Sequence, residues 1–157
     1  HFARACELGS RQGCDAWGLV LAEGRGVPRD EDRARRVLEP LCEARVWPAC
    51  RGLGLLLVQH TEDSGRIRGA GLLEEACLAD DWPACTVLGG HFEHEGDLLG
   101  ALRLFSYACN ADLLHACSRI AALEYRTTGE RSYRRLLLRY CNEGDAWACE
   151  EVGRRPR

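Results

Sequence analysis

The sequence predicts an all-α fold, a solenoid of tandem helix pairs stapled by local disulfides, on three observations. Ten cysteines fall into five C-x7-C pairs, at 6 and 14, 42 and 50, 77 and 85, 109 and 117, 141 and 149. The first cysteines of successive pairs lie 36, 35, 32 and 32 residues apart, so one unit is repeated along the chain. The flanks are apolar with helical spacing, and no segment alternates with a period of two, which predicts no strands.

Taken in order, the chain opens at His1–Cys6 on the end of a repeat helix. It holds no Met, and the expectation is a fragment or a processed form, with any signal peptide upstream. Each second cysteine begins a helix of the first type, with an apolar residue at i+3 and a small one at i+4. These are Cys14, Trp17, Gly18; Cys50, Leu53, Gly54; Cys85, Leu88, Gly89; Cys117, Ile120, Ala121; and Cys149, Val152, Gly153. Leu21, Leu57 and Phe92 continue the face at i+7. Gly costs about 1 kcal/mol in a helix relative to Ala, so its recurrence at one position points to close backbone approach. Each first cysteine ends a helix of the second type, led by Val37, Leu38, Leu41; Leu72, Leu73, Ala76; Leu104, Phe105, Ala108; and Leu136, Leu137, Tyr140. Asp30, Asp97 and Thr127 suit N-caps, and Pro48 and Pro83 suit a first turn. Gly9 and Gly144 suit left-handed helix ends. Pro40 falls inside a second helix, where a kink is expected.

Residues eight apart in one helix would be separated by about 12 Å, whereas a disulfide needs Cα atoms within roughly 7 Å. A turn therefore lies inside every C-x7-C. Ten cysteines allow about 945 pairings, and the repeat selects the local one: Cys6–Cys14, Cys42–Cys50, Cys77–Cys85, Cys109–Cys117 and Cys141–Cys149. Closing a nine-residue loop stabilises by roughly 2.6 kcal/mol per bridge in the chain-entropy account. Zinc motifs space their cysteines two to four apart, and no C-x-x-C occurs.

Composition narrows the function. The chain has 157 residues, a net charge of −3 and a pI near 6.0, which gives no electrostatic reason to expect nucleic acid. All 21 basic residues are Arg. No apolar run is long enough for membrane insertion. Ten cysteines point to an oxidising compartment, periplasmic or secreted. The expected organisation is a single repeat domain over 1–157, with about four complete helix pairs and flanking half repeats.

The stretch ACELGSRQGCDAWGLVLAEGRGVPRDEDRARRVLEPLC, with Gly24, Gly26, Val27, Asp30 and Ala34 in its loop and second helix, resembles the cysteine-rich Sel-one-like repeat family, the group called Hcp or beta-lactamase-like. The resemblance covers nearly the whole chain, although later repeats shorten or lose the G-x-G-V loop. It implies an α/α superhelix similar to tetratricopeptide repeats, with a concave face, disulfides at these positions and extracytoplasmic residence. It also implies an adaptor that binds a protein or peptide. The alternative it carries is a binder of β-lactams or peptidoglycan fragments with weak hydrolysis.

An enzyme has little support in the residues. A serine β-lactamase commonly uses S-x-x-K, and the chain has no Lys. The five serines, Ser10, Ser64, Ser106, Ser118 and Ser132, form no G-x-S-x-G elbow. His91 and His94, beside Glu95, have a chelating spacing without H-E-x-x-H, and a solvated helix end is the plainer reading. No cofactor or metal is expected. Trp47, Trp82 and Trp147 precede cysteines and suit packing over the turns, with Trp17 in the core row. Arg154, Arg155 and Arg157 read as a solvated tail. By analogy with tetratricopeptide repeats, the residues one and five after each second cysteine face inward. These are Asp15 and Leu19, Arg51 and Leu55, Thr86 and Gly90, Ser118 and Ala122, Glu150 and Arg154. Asp15, Leu19, Arg51, Leu55, Thr86 and Ser118 are the candidate binding residues.

Overall fold

A computed structural model describes residues 1–59 and 62–154; Arg155 and Arg157 of the basic tail lie outside them. Among the described residues ten helices follow one another: α1 Phe2–Glu7, α2 Arg11–Glu23, α3 Glu31–Glu43, α4 Trp47–Val58, α5 Asp63–Leu78, α6 Trp82–His94, α7 Leu98–Asn110, α8 Leu114–Thr128, α9 Arg131–Asn142 and α10 Ala146–Val152. None of them is long and apolar enough to cross a membrane. Their contacts divide the chain into two compact units, His1–His91 and Phe92–Arg157.

One turn recurs five times. The third residue after each first cysteine is left-handed: Gly9, Arg45, Asp80, Asp112 and Gly144. Its N–H donates to the carbonyl of that cysteine, and the next N–H reaches back to the residue before the cysteine, as in Ser10 to Ala5 and Val46 to Leu41. This pair of bonds is a Schellman motif, which satisfies the orphan carbonyls of the ending helix. Only Gly9 and Gly144 announce it in sequence. Asp tolerates this region locally, but Arg45, at φ 57°, is held there against its own preference.

The turn brings each C-x7-C together. Disulfides join Cys6–Cys14, Cys42–Cys50, Cys77–Cys85, Cys109–Cys117 and Cys141–Cys149, with Cα separations of 4.3–4.8 Å. Each ties the last turn of one helix to the first turn of the next. The helices cross there, so the residue before each second cysteine is small: Ala49, Ala84, Ala116 and Ala148 are fully buried. Gly13 holds the same place in the first copy, where an added Cβ would meet Ala5 Cβ at 2.5 Å.

The first unit buries Leu21, Leu38, Leu53, Leu57, Leu73 and Leu88. Its recurring glycines permit the packing. A Cβ on Gly18 would strike Leu38, and one on Gly54 would lie 2.9 Å from the Gly69 carbonyl oxygen of α5. In the second unit Phe105 and Leu137 are fully buried, and Trp147 packs against Ala121, Ala122 and Leu137.

Asp30 and Asp97 cap α3 and α7 by accepting from the backbone N–H of Arg33 and Gly100, each at 2.9 Å. Pro48 and Pro83 sit in the first turns of α4 and α6. Thr127 is not an N-cap: α8 runs through it to the left-handed Gly129, and its hydroxyl bonds back to the Leu123 carbonyl at 3.0 Å. Glu130 precedes α9 instead. α3 continues through Pro40 to Glu43.

Candidate functional site

Within each unit, part of the row one residue after a second cysteine meets groups of a following repeat. In the first unit, Arg51 on α4 forms an ion pair with Asp81, the residue that opens α6. The Asp81 side chain is only 6% exposed, and its Oδ1 also accepts from the Ala84 N–H at 3.3 Å. Asp15, on α2, stands within range of the same charges. Burial pushes its carboxyl above the ordinary range; attraction to Arg51 opposes this and Asp81 adds to it. Two carboxylates thus lean on one guanidinium, and Asp15 Oδ1 and Asp81 Oδ2 are buried without hydrogen-bond partners.

The second unit repeats the arrangement with other groups. Asp145 opens α10, accepting from the N–H of Trp147 at 3.0 Å. His115 Nδ1 lies 3.3 Å from its Oδ2, and the Ser118 hydroxyl lies within bonding reach. Burial pushes the Asp145 carboxyl up, and the bonds from Ser118 and His115 outweigh it, so it sits below the ordinary range. Ser118, His115 and Asp145 share residue types with a hydrolytic triad but not its order. The carboxylate lies between the other two, whereas catalysis needs the imidazole between hydroxyl and carboxylate.

Two of the expected binding residues have no surface to offer. Thr86 and Ser118 are buried: the Thr86 hydroxyl donates to the Trp82 carbonyl at 3.3 Å, and the Ser118 hydroxyl stands 3.1 Å from the Leu114 carbonyl and within reach of Asp145. A small hydroxylic residue within a helix closes readily on a carbonyl of its own helix. Asp15 and Arg51 are spent largely on the shared charge network. Leu19 and Leu55, four residues further on, are half-buried. Leu19 lies over Gly52, where an added Cβ would come within 2.8 Å of Leu19 Cδ2. Ala122 is buried, while Glu150 and Arg154 are exposed.

Sequence reading missed the partners, Asp81 and Asp145. The available signal was an Asp four residues before a second cysteine, with Arg51 or His115 thirty residues earlier. It also missed Glu93, which accepts from Arg119 Nη2 at 2.6 Å and from Arg126. Burial pushes the Glu93 carboxyl up, and the two guanidinium groups more than reverse this, holding it below its ordinary range. Arg119 also lies 4.9 Å from the centres of both the Phe105 and Trp147 rings. Trp17 is half-buried, with the Arg33 guanidinium 5.5 Å over its ring. Among the described residues no three His, Cys, Asp or Glu side chains gather as a metal site.

Depressions mark the surface of the first unit. A wide one of about 620 Å³ lies beside the 24–30 loop and reaches Trp17 and Arg33. A smaller one of about 220 Å³ lies over the Cys42–Cys50 disulfide, between α3, α4 and α5.

No family model and no curated protein matches the sequence. Among solved structures the chain is similar to the crystal structure of a Sel1 repeat protein from Oxalobacter formigenes, with 21% identity and a TM-score of 0.66. The match covers 91% of this chain and 62% of that one, so this chain spans less than two thirds of its length. The likeness establishes the architecture: this chain has the fold of a Sel1 repeat protein, an all-α array of tandem helix pairs, here with a disulfide in every pair.

Proposed function

We propose that the chain is a protein- or peptide-binding repeat scaffold that works in an oxidising compartment, periplasmic or secreted. The observation that carries this reading is the row formed by Leu19 and Leu55. α2 and α4 pack side by side, and both leucines are half-buried at equivalent positions on them, with Val58 one turn beyond Leu55. Neighbouring repeats place equivalent residues in rows, and a partner touching a row gains from several at once. The shared fold and five local disulfides support the same reading.

The test is photo-crosslinked capture of extracytoplasmic proteins by the purified oxidised chain. The double change Leu19→Asp, Leu55→Asp is expected to cut capture by about tenfold or more, because a charge placed in an apolar contact must be desolvated. Changing the exposed Ser64, Ser106 and Ser132 to Ala is expected to leave capture intact. Full capture by the leucine variant would overturn the reading. Circular dichroism checks the fold, and Leu55→Gln replaces the double change if helicity is lost.

A further inference from the structure

The smaller depression has a chemistry of its own. Its floor is apolar: the Cys42–Cys50 disulfide, buried Leu53, Leu72 and Trp47. Its rim carries three carboxylates, Glu39, Glu43 and Glu75, against two guanidinium groups, Arg45 and Arg68. Both cations are already engaged. Arg68 Nη2 pairs with Glu39 at 2.5 Å, and the Arg45 guanidinium lies 5.6 Å over the Trp47 ring. Glu43 and Glu75 are exposed and have no ion pair among the described residues, so the rim keeps an unanswered negative charge. Arg45 adds a further sign. Its left-handed backbone, where two other copies of the turn carry Gly, delivers a guanidinium onto Trp47, so the ring already takes a cation from within the chain.

Size narrows the occupant. Pockets for small molecules run to about 300–1,000 Å³, and this one, near 220 Å³, is smaller. It suits a single side chain with an apolar stem and a charged end. Lys and Arg have that form: the methylenes lie along apolar surface and the head reaches the rim.

We propose that the depression over the Cys42–Cys50 disulfide is a subsite for one Lys or Arg side chain of a protein partner. The inference rests on the scaffold reading for its partner, but not for its chemistry. The stem lies over the disulfide, Leu53 and Leu72. The charged head meets Glu43 and Glu75, and Arg45 stays on Trp47.

The experiment titrates the oxidised chain with N-acetyl-lysine amide and N-acetyl-arginine amide, following the indole N–H signals by NMR. N-acetyl-norleucine amide and N-acetyl-glutamate amide are the controls. Saturable movement of the Trp47 signal is expected with both cationic probes, about tenfold tighter than with norleucine, and no movement is expected with glutamate. The Trp17 signal reports any general disturbance. Glu43→Gln with Glu75→Gln, both at exposed positions, is expected to weaken cationic binding about tenfold with the fold intact. An unmoved Trp47 signal, equal binding of norleucine, binding of glutamate, or an unaffected double variant would each overturn the proposal. Leucine-dependent capture with a silent Trp47 would remove this subsite and leave the scaffold. A responsive Trp47 with leucine-independent capture would remove the scaffold face and leave the subsite.

Discussion

At the scale of single residues, the position after each second cysteine shows where sequence reading stops. The analogy with tetratricopeptide repeats picked out the row but not what it faces, because the partners of Arg51 and His115 lie 30 residues away in the chain. Arg51 reads as a free cation in sequence, yet it answers the charge of Asp81. Removing one partner of such a pair leaves the other buried and uncompensated, whereas removing both with apolar groups is often nearly neutral. Arg51→Met is therefore expected to cost about 3 kcal/mol in urea unfolding. Adding Asp81→Asn, which removes the charge but keeps an oxygen for the Ala84 N–H, is expected to recover most of it. A double variant as unstable as the single one would show that the ion pair is not the source of the loss.

At the scale of elements, the sequence was most legible where a backbone demand repeats. Five C-x7-C spacings forced a turn, and a glycine four residues after a second cysteine signalled close helix approach. The α4–α5 contact bears that out at Gly54 and shows its counterpart, Gly69, which no periodicity marked. A Cβ on Gly69 would lie 2.8 Å from both the Gly54 carbonyl oxygen and the Val58 nitrogen, backbone atoms that cannot step aside. Gly71, two residues on in α5, has nothing within 4 Å of such a Cβ. Gly69→Ala is therefore expected to lose about 1–3 kcal/mol, and Gly71→Ala to gain up to about 1 kcal/mol from helix propensity. Thermal melts of the two variants give the comparison directly, and equal effects would refute the backbone contact. Arg45, Asp80 and Asp112 were illegible for the opposite reason. Their left-handed conformation is imposed by the closing helix pair and is not written in their own preferences.

At the scale of the whole molecule, individual carboxyl groups in the two units are expected to answer acid with opposite sign. In the second unit, Glu93 and Asp145 sit below their ordinary values of 4.5 and 3.8. Their contribution is present above those values and is lost as pH falls through the depressed ones. In the first unit Asp15 sits above 3.8, so its contribution is present below that value and is lost as pH rises through the raised one. Glu93→Gln is thus expected to lower the melting temperature at about pH 7, with the loss shrinking toward about pH 3. Asp15→Asn is expected to raise it at about pH 7, modestly because the group is half in solvent, and to do nothing at about pH 3. Matching pH profiles for the two variants would contradict the assigned environments. Cysteine spacing and helical periodicity made the fold readable, but the environments that set these signs arise only once repeats are stacked.

Every bridge closes across the same eight residues, so each helix pair carries both halves of its own staple. A gene that duplicates or deletes one unit keeps an even number of cysteines and strands no thiol. A nascent chain can likewise oxidise each unit as it emerges, with the correct partner the nearest along the chain. The array can thus lengthen or shorten over evolutionary time without relearning its pairing.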